Sequence, residues 1–524
     1  MKWELVLITI VYFIVLFYFI RKGSKKSDSI DDFTVGGWSM GIIVNVGFFT
    51  ATWVSAASVL GVPSLLYSLG FAAVTGWFAG WFFANALLPF IAYKLRKPKF
   101  PVRTIPEFMR LRYEPHVKHS KLQVWSSLIM VVGYISYVTI QITGIGYLVS
   151  AMTGLSYQVS IFIFLLFTLV TVLGGVWSVA LTDLFNTAVI VVGLAIAAFM
   201  ILPQVGGVTE MFIQAGQITT PDVVGGTAMT EGGMFSPLGT FSIAAMVGIF
   251  LSNSLGASVA PHWPTRLLSA KNVKTAIMTP LLSNAIIFIV FSSLLVIGIG
   301  GRVLVPTMPE GMATDQIFPL LITDYMNPVI GGIVLAAIFA AALSTANGMI
   351  LQSTIAITYD IFRNMSKKRV KDSSFIKITQ GLLIVVAIIA TLFALNPPAF
   401  IAMVAAYVFG LFGAAFIGPM YLGLYWKRVN KQAAYSGSIT GVISYVVFSV
   451  LIETGTIAGV LPAVVWSVLI SLTLMIICSY VFKPAPKEAW EPYFVAEVSE
   501  STQETIDKAM QRIKEEDEKK EAAV

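Results

Sequence analysis

The chain has 524 residues, 57% of them apolar and only 12% charged, and its mean hydropathy is +0.83. A water-soluble domain carries about twice that share of charge, so the composition describes a polytopic membrane protein. One cysteine, Cys478, excludes a disulfide framework and a thiol metal site, and three scattered histidines, His116, His119 and His262, argue against a metalloenzyme.

Apolar windows of about 20 residues match a hydrocarbon core of about 30 Å. Thirteen are expected, at 3–20, 40–62, 70–93, 122–151, 157–176, 180–202, 239–263, 275–299, 328–361, 376–395, 398–425, 433–452 and 457–482. The first has no basic stretch before it and no small-residue cleavage site, and "RKGSKK" follows it, so it reads as a retained helix rather than a secretion signal. Threading the chain through these windows puts every Lys and Arg on one side except Lys2 and Arg302. That side is expected to be cytoplasmic, with the N-terminus outside and the C-terminus inside a cell (plasma) membrane. The pI near 9.2 is then an orientation signal rather than a nucleic-acid one.

The long loops differ in kind. Residues 94–121 contain "TIPEFMRLRYEP", where Pro106 suits the first turn of a short surface helix. Residues 203–238 carry no Lys or Arg and read as an outer loop, and the tail from about 499 reads as a charged, solvated helix with a frayed end.

Two windows hold helix breakers. The second has Gly61 and Pro63 in "SAASVLGVPSLL", and the seventh has Gly256, Pro261 and Pro264 in "SNSLGASVAPHWPTR". They lie five spans apart and so cross in opposite directions, as in an inverted repeat whose interrupted helices form a midplane binding site. A merely kinked structural helix is the alternative for each.

The ninth window interrupts "VIGGIVLAAIF" and "MILQSTIAI" with "AAALSTANG", residues 340–348. Close packing of small residues is one explanation. The other is a cation site. Ala341, Ser344 and Thr345 stand at i, i+3 and i+4 on one helical face and offer a carbonyl and two hydroxyls. A broken helix has unsatisfied carbonyls that are costly in hydrocarbon, and those of Ala51 and Val54 would complete a neutral five-oxygen cage for Na+. A Ca²⁺ site usually adds carboxylates, and this set has none.

In order and spacing, "DDFTVGGWSMG", "SAASVLGVPSLLYSLGF", "TIPEFMRLRYEP", "VLGGVWSVALTDLFN", "PHWPTRLLSAKN" and "AALSTANGMILQSTIAITYDIF" together resemble the sodium/solute symporters, which carry proline, pantothenate, galactose, sialic acid and monocarboxylates. The resemblance spans nearly the whole chain. It implies an all-α membrane protein with 13 transmembrane helices in a LeuT-type five-plus-five inverted repeat. One extra helix would precede the repeats and two would follow. The symporter domain would be 1–482, with repeats at 38–202 and 239–426, and 483–524 a cytoplasmic charged tail. Positions matching Ala51, Val54, Ala341, Ser344 and Thr345 hold the principal Na+, the implied coupling ion.

The chain departs from that pattern in places. Trp53 stands where proline transporters carry an acidic residue, which argues against proline. Some members bind a second Na+ with an aspartate like Asp183, yet Asn347 and Gly348 replace the usual hydroxyls here. Asp183 would serve as a second-cation or coupling residue, or equally as a cap of the sixth span. The resemblance puts solute between the second, fourth and seventh spans, with Thr52, Trp53, Asn253, Ser254 and Ala257 as candidates. Tyr137 and Gln141, at i and i+4, either face that cavity or bond across helices.

With no Lys or Arg read as mid-membrane, an anionic solute would depend on half-helix N-termini. A small carboxylate-bearing solute (a monocarboxylate, pantothenate or an amino acid) is favoured over a sugar. The implied function is Na+-coupled import by alternating access, and the protein's partners would be that solute and the lipid bilayer, with no nucleic acid. Proton coupling through Asp183 is the near alternative. An enzyme would need a nucleophile with a base, which the spans lack. A transporter-like sensor would carry a signalling domain after Phe482, and a pump would need a phosphate-binding loop.

Overall fold

The computed structural model describes residues 3–98, 101–219, 230–310, 312–366, 371–396, 401–457, 461–495, 498–508 and 511. Among them the chain is helical, without a strand; one isolated parallel bridge joins Met40 to Ala270. The elements used below are α1 Trp3–Ser24, α2 Ile42–Trp53, α3 Ala56–Leu69, α4 Phe71–Leu95, α5 Ile105–Tyr113, α6 Lys121–Thr153, α7 Tyr157–Val172, α8 Gly175–Ile201, α9 Ile243–Gly256 and α10 His262–Leu268. They continue with α11 Val273–Leu304, α12 Pro328–Arg363, α13 Asp372–Ala394, α14 Val404–Tyr425, α15 Lys431–Glu453, α16 Ala463–Val481 and α17 Lys487–Phe494.

Ten of the described helices are long and apolar enough to cross a bilayer, and α2 with α3 makes one more as a bent pair. The shorter apolar helices α7 and α9 take the places of the fifth and seventh expected windows. Large apolar side chains stand exposed on the periphery, among them Ile14 on α1, Ile43 on α2, Phe199 on α8 and Phe288 on α11. Water would not tolerate so much apolar surface, whereas lipid does. The protein is an integral membrane protein.

The centre is built around α12, which packs against α1, α2, α6 and α8 and is 83% buried over its apolar window. Asn327 caps it by accepting from the Ile330 amide, with Pro328 at the first turn, where a missing N–H costs nothing. Its run of Ala and Gly keeps the surface low, so that neighbouring backbones come close: a Cβ at Gly193 of α8 would collide with Ala337. The end of α10 is strapped to the start of α2, where Met40 N donates to Ser269 O (3.1 Å) and Lys271 N to Met40 O (2.9 Å).

Two expectations about the loops change. The helix α5, with Pro106 in its first turn as its sequence suggests and Thr104 as its cap, is docked rather than superficial. Its Arg112 is wholly buried and donates to the carbonyls of Gly423 (2.7 Å) in the last turn of α14 and of Trp426 (3.3 Å) and Val429 (3.3 Å) just beyond it. The tail begins as α17, whose Tyr493 carbonyl accepts from Lys94 Nζ at 3.1 Å, before the helical residues 500–508. Residues 220–229 of the outer loop, and 496–497, 509–510 and 512–524 of the tail, lie outside the described residues.

Candidate sodium and solute site

The second span is broken, but not at its glycine and proline. Gly61 and Pro63 stand in the first turn of the second segment of α3, Gly61–Leu69, which follows a slight irregularity at Leu60 (φ −98°, ψ −44°), and a proline in a first turn displaces no hydrogen bond. The break is at Val54 and Ser55, both extended (φ −96°, ψ 98° and φ −116°, ψ 177°), and it bends the span by 58°. Side chains satisfy the freed backbone. The Ala56 amide donates to Gln141 Oε1 at 2.7 Å, Ser58 Oγ donates to the Trp53 carbonyl at 3.0 Å, and Ser55 Oγ lies 3.4 Å from Tyr137 OH. Gln141 therefore braces the break, its Nε2 bonding weakly within its own helix (3.5 Å).

The five expected cation ligands are all buried. Ser344 Oγ lies 2.9 Å from the Ala51 carbonyl and 3.0 Å from that of Ala341, so oxygens from the broken span and from α12 meet at one point. Val54 leaves the helical path, which takes its carbonyl out of the i to i+4 ladder. Thr345 Oγ1 is buried without a hydrogen-bond partner. A buried hydroxyl of that kind costs about 1–3 kcal/mol unless something meets it, and a cation is a fitting match. The donor set is neutral and oxygen-only, which suits Na+.

The second interruption follows α9 and the two helical residues that continue it. Residues 259–261 leave the helix, and α10 starts at His262. Here the structure brings in residues the sequence did not single out. The Trp263 ring stacks on Trp53, with centroids 3.9 Å apart and planes at 11°. His262 lies 4.2 Å from Trp263, centroid to centroid, and Tyr137 and Phe409 close the cluster. His262, one of the three scattered histidines, stands at this second break, and neither of its ring nitrogens has a partner. The indole nitrogens of Trp53 and Trp263 are likewise buried and unpartnered. The motif "PHWPTR" was the available signal; which residue its tryptophan meets was not in it.

The other expected solute residues are less central. Thr52 Oγ1 donates to Phe48 O within its own helix (3.1 Å), and Ser254 Oγ to Leu251 O (3.5 Å). Asn253 packs against Gly80 of α4 and donates to Ile249 O (2.9 Å), leaving Oδ1 unbonded. Ala257 is wholly buried on the helical turn that continues α9.

Asp183 is no cap, since α8 begins at Gly175 with Gly174 as its N-cap and Asp183 stands in the helix interior. It is fully buried, and the Arg266 guanidinium reaches it from α10, Nη2 lying 3.5 Å from Oδ2. The charge count by loops places Arg266 on the basic face and no Arg in the interior, yet it is 1% exposed. The chain turned it inward to offset a carboxylate that burial would otherwise leave alone.

Comparison with known proteins bears on the family and the fold. The description "Sodium:solute symporter family" matches residues 33–441. The sodium/pantothenate symporter of Escherichia coli strain K12 is 27% identical over 466 residues, covering 86% of this chain and 92% of the relative. The osmoregulated proline transporter of Bacillus subtilis strain 168 is 25% identical over 459 residues, covering 86% and 89%. A substrate-bound, outward-open Na+-coupled sialic acid symporter shares the fold at a TM-score of 0.74 and 21% identity, over 93% of this chain and 99% of that one. A nucleobase-cation-symport-1 family transporter in a closed conformation does so at a TM-score of 0.54 and 13% identity, over 92% and 98%. With an all-helical fold shared with these transporters and a family match across most of its length, the chain belongs to the sodium:solute symporter family, with Na+ as its coupling ion.

Proposed function

We propose that this protein imports a small carboxylate-bearing solute together with Na+, by alternating access in the plasma membrane, with its N-terminus outside and its basic face in the cytoplasm. The carrying observation is the approach of the Ser344 hydroxyl to carbonyls of both Ala51 and Ala341, at 2.9 and 3.0 Å. A cation held there bridges a broken span of one repeat (38–202) and an intact helix of the other (239–426), so its binding biases how the two repeats sit. Ala51, Val54, Ala341, Ser344 and Thr345 are the proposed Na+ ligands.

The solute class follows from what the aromatic centre lacks. A buried indole N–H usually finds an acceptor, and here two indoles and an imidazole lack one. A carboxylate offers several lone pairs to such donors, and relatives that carry pantothenate or proline support the choice. The closed centre, with Trp263 only 2% exposed, suits a state in which both entrances are shut.

The test is uptake into proteoliposomes with an imposed inward Na+ gradient, against a panel of pantothenate, proline, sialic acid, short monocarboxylates and a hexose. Uptake of a carboxylate that collapses when Na+ is replaced by K+ supports the reading. Transport of the hexose alone would overturn the solute class, and uptake indifferent to Na+ would overturn the ion site.

A further inference from the structure

Asp183 and Arg266 belong to different halves of the molecule, and both are shut away from solvent. Their contact is loose: Nη2 and Oδ2 are 3.5 Å apart, and neither carboxylate oxygen accepts a hydrogen bond. The guanidinium lies over the Phe48 ring, 3.9 Å from its centroid, and against Gly348 of α12, where a Cβ would collide with Nη2. A glycine there is what admits an arginine. Other oxygens nearby are already engaged. Asn186 Oδ1, one turn along α8 from Asp183, accepts from Tyr12 OH at 2.9 Å, and Asn347 Oδ1 accepts from Thr171 Oγ1 at 2.9 Å. Both asparagines keep an unpartnered Nδ2, a donor and so no use to a metal ion.

We propose that Arg266 is a tethered cation at Asp183: its guanidinium takes the place a second free cation would need, so the protein carries one Na+ per solute. A carboxylate buried among helices is costly without a positive partner. An arginine supplies that charge permanently and cannot be released with the cargo, so it adds nothing to the ions moved. The absence of hydrogen bonds between the partners keeps the contact weak enough to lengthen when the halves move against each other, while the charges stay within each other's field. The inference rests on the symport reading above and specifies its stoichiometry.

The experiment counts bound ²²Na+ on the purified full-length protein by equilibrium dialysis, alongside the Na+ dependence of thermal unfolding as a check on folding. Wild type is expected to bind one Na+ per chain. Arg266→Gln exposes Asp183 to free cations and is expected to bind two, and Arg266→Gln with Asp183→Asn returns to one. Two Na+ on wild type, or one on a folded Arg266→Gln, overturns the tethered-cation assignment while leaving Na+ symport standing. No Na+ on wild type overturns the symport reading and this one with it. If Arg266→Gln does not fold, the wild-type count still decides, and Arg266→Lys, which keeps a tethered charge, is expected to bind one.

Discussion

Trp53 and Trp263 lie ring to ring, 3.9 Å between centroids, at the points where two separate spans are interrupted. Each indole is held from its own side of the molecule: Trp53 ends α2 just before the extended Val54, and Trp263 lies in the first turn of α10, just after the non-helical residues 259–261. The stack therefore joins the two breaks directly, and any movement of one broken span against the other must slide or part it. A stacked aromatic pair contributes about 0.5–1.5 kcal/mol beyond its buried area. Trp263→Ala is expected to raise the solute concentration for half-maximal uptake about tenfold, a change of about 1.4 kcal/mol, while Trp263→Phe keeps most of the affinity. Concentration-dependent uptake in proteoliposomes measures both, and equal affinity in the alanine variant would remove the stack from the solute site.

Thr345 offers a sharper test of the ion site, because its hydroxyl meets no protein group. Thr345→Val keeps the shape and removes the orphan oxygen. Without Na+ the variant is expected to melt at the wild-type temperature or above it, since an unsatisfied buried hydroxyl costs about 1–3 kcal/mol. With Na+ it is expected to lose most of the stabilisation that ligand binding gives the wild type. Ser344→Ala should lose it too, and Ser344→Ala with Thr345→Ala entirely. Melting curves with Na+ against K+ separate the two effects; a double variant that still responds to Na+ would relocate the site.

Gln141 is expected to matter through the break rather than through solute. Its Oε1 accepts from the Ala56 amide at 2.7 Å, and Gln141→Leu strands that N–H in an apolar interior at about 1–3 kcal/mol. Gln141→Glu keeps an acceptor and should recover much of the loss. The melting temperature of the three proteins without Na+ or solute checks this. If the leucine variant melts like wild type, the break is stabilised elsewhere.

The order of spans and the small polar run at 340–348 were legible because each is local: hydropathy needs one window, and i, i+3, i+4 spacing needs one helix. The placement of the first break was not. Gly61 and Pro63 look like breakers, yet they mark only the slight irregularity at Leu60, because the first turn of the segment that follows tolerates both. Val54 and Ser55 look ordinary, and they are extended because Gln141, Ser58 and Ser344 meet the backbone groups freed there. Arg266 was misread for a related reason. A count of charges by loop registers that an arginine is near a helix end, and says nothing about whether its long stem turns back into the protein. The partner that draws it in, Asp183, and the gap that admits it, at Gly348, belong to α8 and α12. The tryptophan stack was hidden in the same way, as a contact between distant segments.

Arg112 carries the last prediction, about stability rather than transport. Its guanidinium is wholly buried and spans three carbonyls, those of Gly423, Trp426 and Val429, which end α14 and lead into α15. Together they fasten α5 beneath those two helices. A planar fork with several fixed donors can reach three acceptors at once, whereas a lysine ammonium sits at a single point on its stem. Arg112→Lys keeps the charge and is still expected to strand at least one carbonyl and leave a poorly matched buried cation, at a cost of about 2–4 kcal/mol. Arg112→Met removes the buried charge along with the bonds, and is expected to melt below wild type but not below the lysine variant. Both should keep the Na+-dependent rise in melting temperature, because Arg112 touches none of the proposed ion ligands. A lysine variant as stable as wild type would mean that charge alone, rather than the three-way fork, holds the helix in place.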